Sequence, residues 1–154
     1  MFERTIGARI IDKINSGKAI VVVGARQVGK TTLLKEILKD KEYLFLDADD
    51  PSIWNLLESP TTEEIRTFIG KHKYVFLDEA QRIQGIGLTL KIITDQFKGV
   101  QLFVSGSSSF DLGNALNEPL TGRKWEYELF PITWEEYENK IGFIKSEQQI
   151  ENRL

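Results

Sequence analysis

Residues 18–39, KAIVVVGARQVGKTTLLKEILK, decide the fold. An apolar run, Ala19–Val23, passes through Gly24-Ala25-Arg26-Gln27-Val28-Gly29-Lys30-Thr31 into helix-forming sequence. The run is rich in β-branched residues and apolar at every position, which suits a strand covered on both faces within a parallel sheet. Thr32 to Lys39 reads as a helix with Leu33, Leu34, Ile37 and Leu38 on one face. Between them stands G-x-x-x-x-G-K-[ST], the Walker A spacing of a phosphate-binding loop. Its glycines let backbone N–H groups come close to phosphate oxygens, and the following helix turns its positive N-terminal end toward the same charge. The expected nucleotide contacts are therefore Gly24, Ala25, Arg26, Gln27, Val28, Gly29, Lys30, Thr31 and Thr32. Lys30 is expected to reach the β- and γ-phosphates and to share in catalysis, and Thr31 to hold Mg²⁺ through its hydroxyl. The Arg26 side chain either touches nucleotide or folds back to solvent.

A second chemical element follows at Tyr74–Glu79, YVFLDE. Four apolar residues deliver two carboxylates to the C-terminal end of a buried strand, the edge at which open α/β sheets bind ligands. This is the Walker B pattern, in which Asp78 completes the Mg²⁺ shell and Glu79 orients or deprotonates the attacking water. Many strands end in acidic residues, so the pattern is weak alone. One strand and helical sequence separate it from Lys30, a spacing that suits a P-loop ATPase with an extra strand between its Walker strands.

The remaining chain supplies the scaffold. Residues 3–15 place Ile6, Ile10, Ile11 and Ile14 at helical spacing, stopped by Asn15-Ser16-Gly17. Residues 42–47 read as a strand. Asp49-Asp50-Pro51 reads as a capped helix start, and the Asp47, Asp49, Asp50 spacing lacks the rest of a calcium loop. Thr61-Thr62-Glu63-Glu64 has capping-box form ahead of a helix ending at Gly70. After a polar connection at 81–87, Leu88, Ile92, Ile93 and Phe97 are expected to share one helical face. Val100–Val104 reads as a further strand running into Ser105-Gly106-Ser107-Ser108-Ser109. No G-x-S-x-G spacing is present there, which argues against a nucleophilic serine. The run is either a linker or a γ-phosphate sensor, with Ser107 the first candidate and Ser105 the second. Lys124–Leu129 alternates Trp125, Tyr127 and Leu129 against Lys124, Glu126 and Glu128, the pattern of a half-exposed edge strand. Pro131 ends it, and Thr133 is placed to cap a short helix.

The bulk properties agree with one soluble domain. The 154 residues are 41% hydrophobic and 28% charged, ordinary for a globular protein. Nothing approaches the roughly 20 apolar residues needed to span a bilayer, so no membrane partner is expected. With no cysteine, disulfides and thiolate metal sites are excluded, and a cytoplasmic location is expected. A net charge of −3 gives no electrostatic footprint for nucleic acid. Lys71, His72 and Lys73 form the one compact basic cluster and read as a solvated loop.

In its combined motifs the chain resembles the AAA+ type P-loop ATPases predicted in bacteria and archaea. The resemblance rests on GARQVGKTT, FLDEAQ, SGSSSF and LTGRKWEYELFPITWEEY, and it covers about Ile10 to Tyr137. It implies an α/β three-layer sandwich with a mostly parallel five-stranded sheet in the order 5-1-4-3-2. It also implies ATP and Mg²⁺ as ligands, and a lid and C-terminal domain beyond the core. Residues 1–140 are expected to be the core, and 141–154 the start of a lid or linker of a longer protein. Arg123 lies where this class places an arginine finger, so the resemblance implies a role on transferred phosphate and a homo-oligomer formed through it; a plain turn arginine is the alternative. The expected activity is hydrolysis of ATP. The rivals are a nucleotide-gated switch with little turnover and a small P-loop kinase, for which no arginine-bearing lid is evident between the third and fifth strands.

Overall fold

The computed structural model describes residues 5–25, 28–107 and 109–131, with backbone alone at 109–111. Along the chain run α1 (Thr5–Asp12), β1 (Ala19–Val23), α2 (Lys30–Ile37), β2 (Tyr43–Asp47), α3 (Pro51–Leu57) and α4 (Thr62–Ile69). Then come β3 (Tyr74–Asp78), a 3₁₀ turn (Ala80–Arg82), α5 (Ile86–Gln96), β4 (Gln101–Gly106), α6 (Ser109–Leu116) and β5 (Lys124–Glu128). The expected lid or linker at 141–154 and the helix after Thr133 lie outside the described residues.

The five strands form one sheet in the order β2-β3-β4-β1-β5, every neighbouring pair parallel. Read from the other edge this is 5-1-4-3-2, as expected. Strand β1 is buried at all five positions because it pairs on both sides and carries helices on both faces. Its alternate residues separate accordingly, since successive strand side chains point to opposite faces. Val21 and Val23 join Val75, Leu77, Leu102 and Val104 against α3 to α6, whose Leu57, Ile65, Ile86, Leu90 and Leu116 fill that layer. Ile20 and Val22 join Phe76 and Phe103 against Ile10 of α1 and Leu33 and Leu34 of α2.

Local sequence sets the element ends. Asp50 accepts a hydrogen bond from the Ser52 N–H at 2.9 Å with Pro51 at the first helical position, so the cap reading holds. Thr61 and Glu64 complete a reciprocal capping box. Strand β5 is the edge strand that its alternation predicted, with Tyr127 and Leu129 buried. Trp125 lies under the ammonium groups of Lys13 and Lys18, each 4.4 Å from its ring centroid.

Two helix faces differ from expectation. Ile11 is 57% exposed and Leu88 is 59% exposed. In α1 the inward stripe runs through Gly7 and Ile10, and the residue next to Ile10 is turned about 100° away. In α5 the stripe is Ile86, Leu90 and Ile93. Its phase is set by Gly87, where a Cβ would come within 2.3 Å of the Ala115 carbonyl oxygen of α6. That close crossing directs Leu88 to solvent.

Candidate nucleotide site

The site assembles at the C-terminal edge of the sheet, where β1, β3 and β4 end side by side. As β1 leaves the sheet, Gly24 presses against β5, and a Cβ there would stand 2.4 Å from the Leu129 carbonyl oxygen. Gly29 takes a left-handed conformation (φ 95°, ψ 23°) at the entrance to α2, a geometry that glycine adopts without steric cost. Gly29 thus turns the chain into the N-terminus of α2. Arg26 and Gln27, expected among the nucleotide contacts, lie outside the described residues. Val28 is buried and Thr32 exposed.

Lys30 is only 4% exposed. Its Nζ donates to the carbonyl oxygens of Gly24 at 3.0 Å and Ala25 at 2.8 Å. A buried ammonium needs such partners, and these hold it inside the arc of the loop. One residue on, the Thr31 hydroxyl lies 3.0 Å from both carboxylate oxygens of Asp78. Two sequence-distant motifs therefore meet.

Asp78 is 8% exposed. Burial pushes its carboxyl above the ordinary value, hydrogen bonds from Ser105 and Thr31 oppose that rise, and the neighbouring charges of Glu79 and Asp47 add to it. Asp47 stands beside Asp78 because β2 and β3 pair in register there. Asp47 itself accepts the Asp49 N–H at 2.9 Å, and Asp49 pairs with Arg82 at 2.6 Å. These contacts are loop chemistry of the kind its sequence suggested.

Glu79 follows with φ 58° and ψ 45°, a left-handed conformation unfavourable for a residue with a Cβ. Such strain collects at functional sites. The two candidate sensors separate in space. Ser105, fully buried in β4, donates to Asp78 Oδ1, and its oxygen lies 3.4 Å from the Glu79 N–H. Ser107, just beyond β4, accepts from Gln81 Nε2 at 2.7 Å, and that same nitrogen donates to Glu79 Oε2 at 2.6 Å. Gln81 is the residue to which sequence reasoning gave no role in the site. It closed the FLDEAQ motif and opened a polar connection, and nothing in composition announces the 3₁₀ turn that brings it back.

Arg123 is not brought to this edge of its own chain. It precedes β5, whose Lys124 pairs with Ala19 at the start of β1, so roughly 20 Å of strand rise separates it from Gly24. Its Nε donates to Asp95 Oδ1 at 2.7 Å, and this bond, with the guanidinium charge, holds the Asp95 carboxyl below its ordinary value. Lys71, His72 and Lys73 line a cavity of about 420 Å³ with Glu42 and Tyr74, where β3 begins, again opposite the loop. A cavity of about 340 Å³ lies between α1 and the end of β5, lined by Thr5, Ile6, Arg9, Leu129, Phe130 and Pro131 among others.

The donors present suit Mg-nucleotide. A threonine hydroxyl and a carboxylate are hard oxygen ligands, and Mg²⁺ keeps several waters and takes few protein ligands. Among the described residues no larger group of His, Asp and Glu is placed to hold a metal. Nor is any of their helices long and apolar enough to cross a membrane.

A parallel sheet of this order, with a glycine loop after β1 and an Asp-Glu pair closing β3, is that of a P-loop ATPase with an additional strand between its Walker strands, and the family is of the AAA+ type. The chain belongs to the AAA domain family, whose profile matches residues 16–138. It is a nucleotide-binding module of the ATPase type. The uncharacterized protein Rv2008c of Mycobacterium tuberculosis is 29% identical over 131 residues, 84% of this chain and 29% of its own length. The uncharacterized protein MJ1544 of Methanocaldococcus jannaschii is 27% identical over 140 residues, 87% of this chain and 31% of its own length. The chain thus spans less than a third of either relative. Among solved structures, the Walker-type ATPase PABY2304 of Pyrococcus abyssi superposes with a TM-score of 0.61 at 18% identity, covering 88% of this chain and 55% of that one. At that identity the likeness concerns the fold.

Proposed function

We propose that the chain binds Mg-ATP and hydrolyses it to ADP and phosphate, coupling the cycle to conformational change in a longer protein. In this reading residues 1–140 are the core and 141–154 begin a lid or linker. The observation that carries it is the meeting of Thr31 with Asp78, a hydroxyl 3.0 Å from each carboxylate oxygen, beside the buried ammonium of Lys30. Gly24 to Thr32 wrap the phosphates, with the N-terminus of α2 and Lys30 facing their charge. Thr31 and Asp78 would hold Mg²⁺, which supplies charge neutralisation at the phosphates when bound. Glu79 orients the attacking water and accepts its proton. Ser107 donates to the terminal phosphate, while Ser105 buttresses Asp78. The cavity between α1 and the end of β5 takes the base, its apolar wall made by Ile6, Leu129 and Phe130.

In the full-length protein, Lys30→Ala is expected to lose Mg-ATP binding, and Glu79→Gln to keep binding while turnover falls at least about 100-fold. Equal turnover by wild type and Glu79→Gln would defeat the assigned chemistry.

One observation favours a second reading, a nucleotide-gated switch with little turnover. Arg123 is tied to Asp95 at the far edge of the sheet, so a single chain does not bring it to its own phosphates. Full hydrolysis then requires a second copy that presents Arg123 in trans.

A further inference from the structure

Past Asp78 the chain makes one left-handed residue, Glu79, and then the 3₁₀ turn Ala80–Arg82. Ala80, the first residue of that turn, and Ile83, just after it, are buried in the core, so the backbone carrying Gln81 is pinned from both ends. The turn sends the Gln81 side chain back across the end of β4. There Nε2 donates to Glu79 Oε2 at 2.6 Å and to Ser107 Oγ at 2.7 Å, while Oε1 accepts the Ser107 N–H at 3.3 Å.

The partners fix which end of the carboxamide is which. A carboxylate only accepts and a backbone N–H only donates, so a flipped amide would lose both the Glu79 and the Ser107 backbone bonds. Glycine at 106 gives the carboxamide its seat, for a Cβ there would come within 3.1 Å of Gln81 Oε1 and 2.3 Å of Leu112 Cδ2. Ser107 uses its oxygen as an acceptor toward Gln81. Its hydroxyl proton remains for an acceptor on the other side.

We propose that Gln81 is a positioning residue that couples Ser107 to Glu79, so that one carboxamide passes the state of the sensor serine to the carboxylate that orients water. The proposal rests on the nucleotide reading above. A terminal phosphate oxygen that accepts a hydrogen bond from the Ser107 hydroxyl fixes the serine. Ser107 is bound to Gln81 through both hydroxyl and backbone, and the second Nε2 hydrogen then sets where Glu79 stands. A nucleoside diphosphate has no oxygen at that position and leaves the chain of bonds unset. Glu79 is thus aligned when there is a phosphate to cleave.

Two measurements on the full-length protein test this. The first is nucleotide-free melting of wild type, Gln81→Ala, Ser107→Ala and the double variant. Each single change is expected to lower Tm by about 2–4 °C, and the double to fall little further than Gln81→Ala alone. Additive shifts would show that the two side chains do not act together and would overturn the coupling. The second is steady-state ATP turnover. Gln81→Ala is expected to lower kcat about tenfold or more, with KM for Mg-ATP and affinity for ADP within about twofold of wild type. Unchanged kcat, or a loss of ADP affinity in step with kcat, would overturn the positioning role. Wild-type protein that binds no Mg-ATP would instead defeat the nucleotide reading, an outcome the nucleotide-free cycle tells apart from failure of the coupling.

Discussion

The Thr31 hydroxyl stands 3.0 Å from each oxygen of the Asp78 carboxylate, joining the first turn of α2 to the last residue of β3. That contact places a carboxylate in the sheet edge at 8% exposure, where ionisation is opposed by burial and by the charges of Glu79 and Asp47. A buried acid whose folded pKa is raised gives its full stability below the unfolded value, and that stability is lost as pH rises through the folded value. At neutral pH the ionised Asp78 therefore costs the fold stability. Asp78→Asn keeps an oxygen to accept from Thr31 or Ser105 and removes the charge. Its Tm at pH 7.5 is expected to exceed that of wild type, with the gap closing as pH falls toward 4. Magnesium-dependent nucleotide binding is expected to be lost in the same variant. Melting curves across that pH range, with nucleotide binding measured with and without magnesium, check both halves.

Glu79 offers a second trade between stability and function. Its φ of 58° is costly for any residue bearing a Cβ, by about 1–2 kcal/mol. Glu79→Gly and Glu79→Ala both remove the carboxylate and its bond to Gln81, so comparing them isolates the backbone. Glu79→Gly is expected to be the more stable of the two by about 1 kcal/mol, read from chemical denaturation, and both are expected to be inactive. An alanine variant at least as stable as the glycine variant would mean that the left-handed conformation is not strained.

How much of this was visible in the sequence depended on whether local chemistry or a distant partner set the feature. Strand β1 was legible because central parallel strands are apolar on both faces, and α3 and α4 because Asp50 and Thr61 cap them through bonds made within a few residues. The pairing of Thr31 with Asp78 could be expected from two motifs, since one opens the helix after β1 and the other closes β3. Helix phase was less legible. Ile11 and Leu88 sit at plausible core spacing, but the inward face is chosen by what lies opposite, as the Gly87 crossing over Ala115 shows. Ser105 was expected beyond its strand and proved to belong to it, since β4 runs on to Gly106 and so aims the hydroxyl at Asp78. Gln81 was illegible because its role depends on a 3₁₀ turn.

Arg123 carries the last prediction. Its bond to Asp95 is between half-exposed side chains, and exposed ion pairs contribute little, so Arg123→Ala is expected to change Tm by no more than about 2 °C at pH 7. Asp95 is held below its ordinary value of 3.8 by this partner. Stability from such a group is present above that value and is lost as pH falls through the folded pKa, so any wild-type advantage in Tm should begin to shrink as pH falls below about 3.8 and be gone only once pH lies below the depressed folded value. Activity is the sharper readout. With Arg123 about 20 Å of strand rise from the loop, an effect on turnover requires another subunit. Arg123→Ala keeps an intact loop, and Lys30→Ala keeps an intact arginine. If Arg123 acts in trans, each variant alone is nearly inactive, and mixing them restores part of the turnover, because an intact loop from one variant then meets an intact arginine from the other, while the mutant loop and mutant arginine share a different interface. Turnover by Arg123→Ala alone at the wild-type rate would reduce Arg123 to a turn residue paired with Asp95.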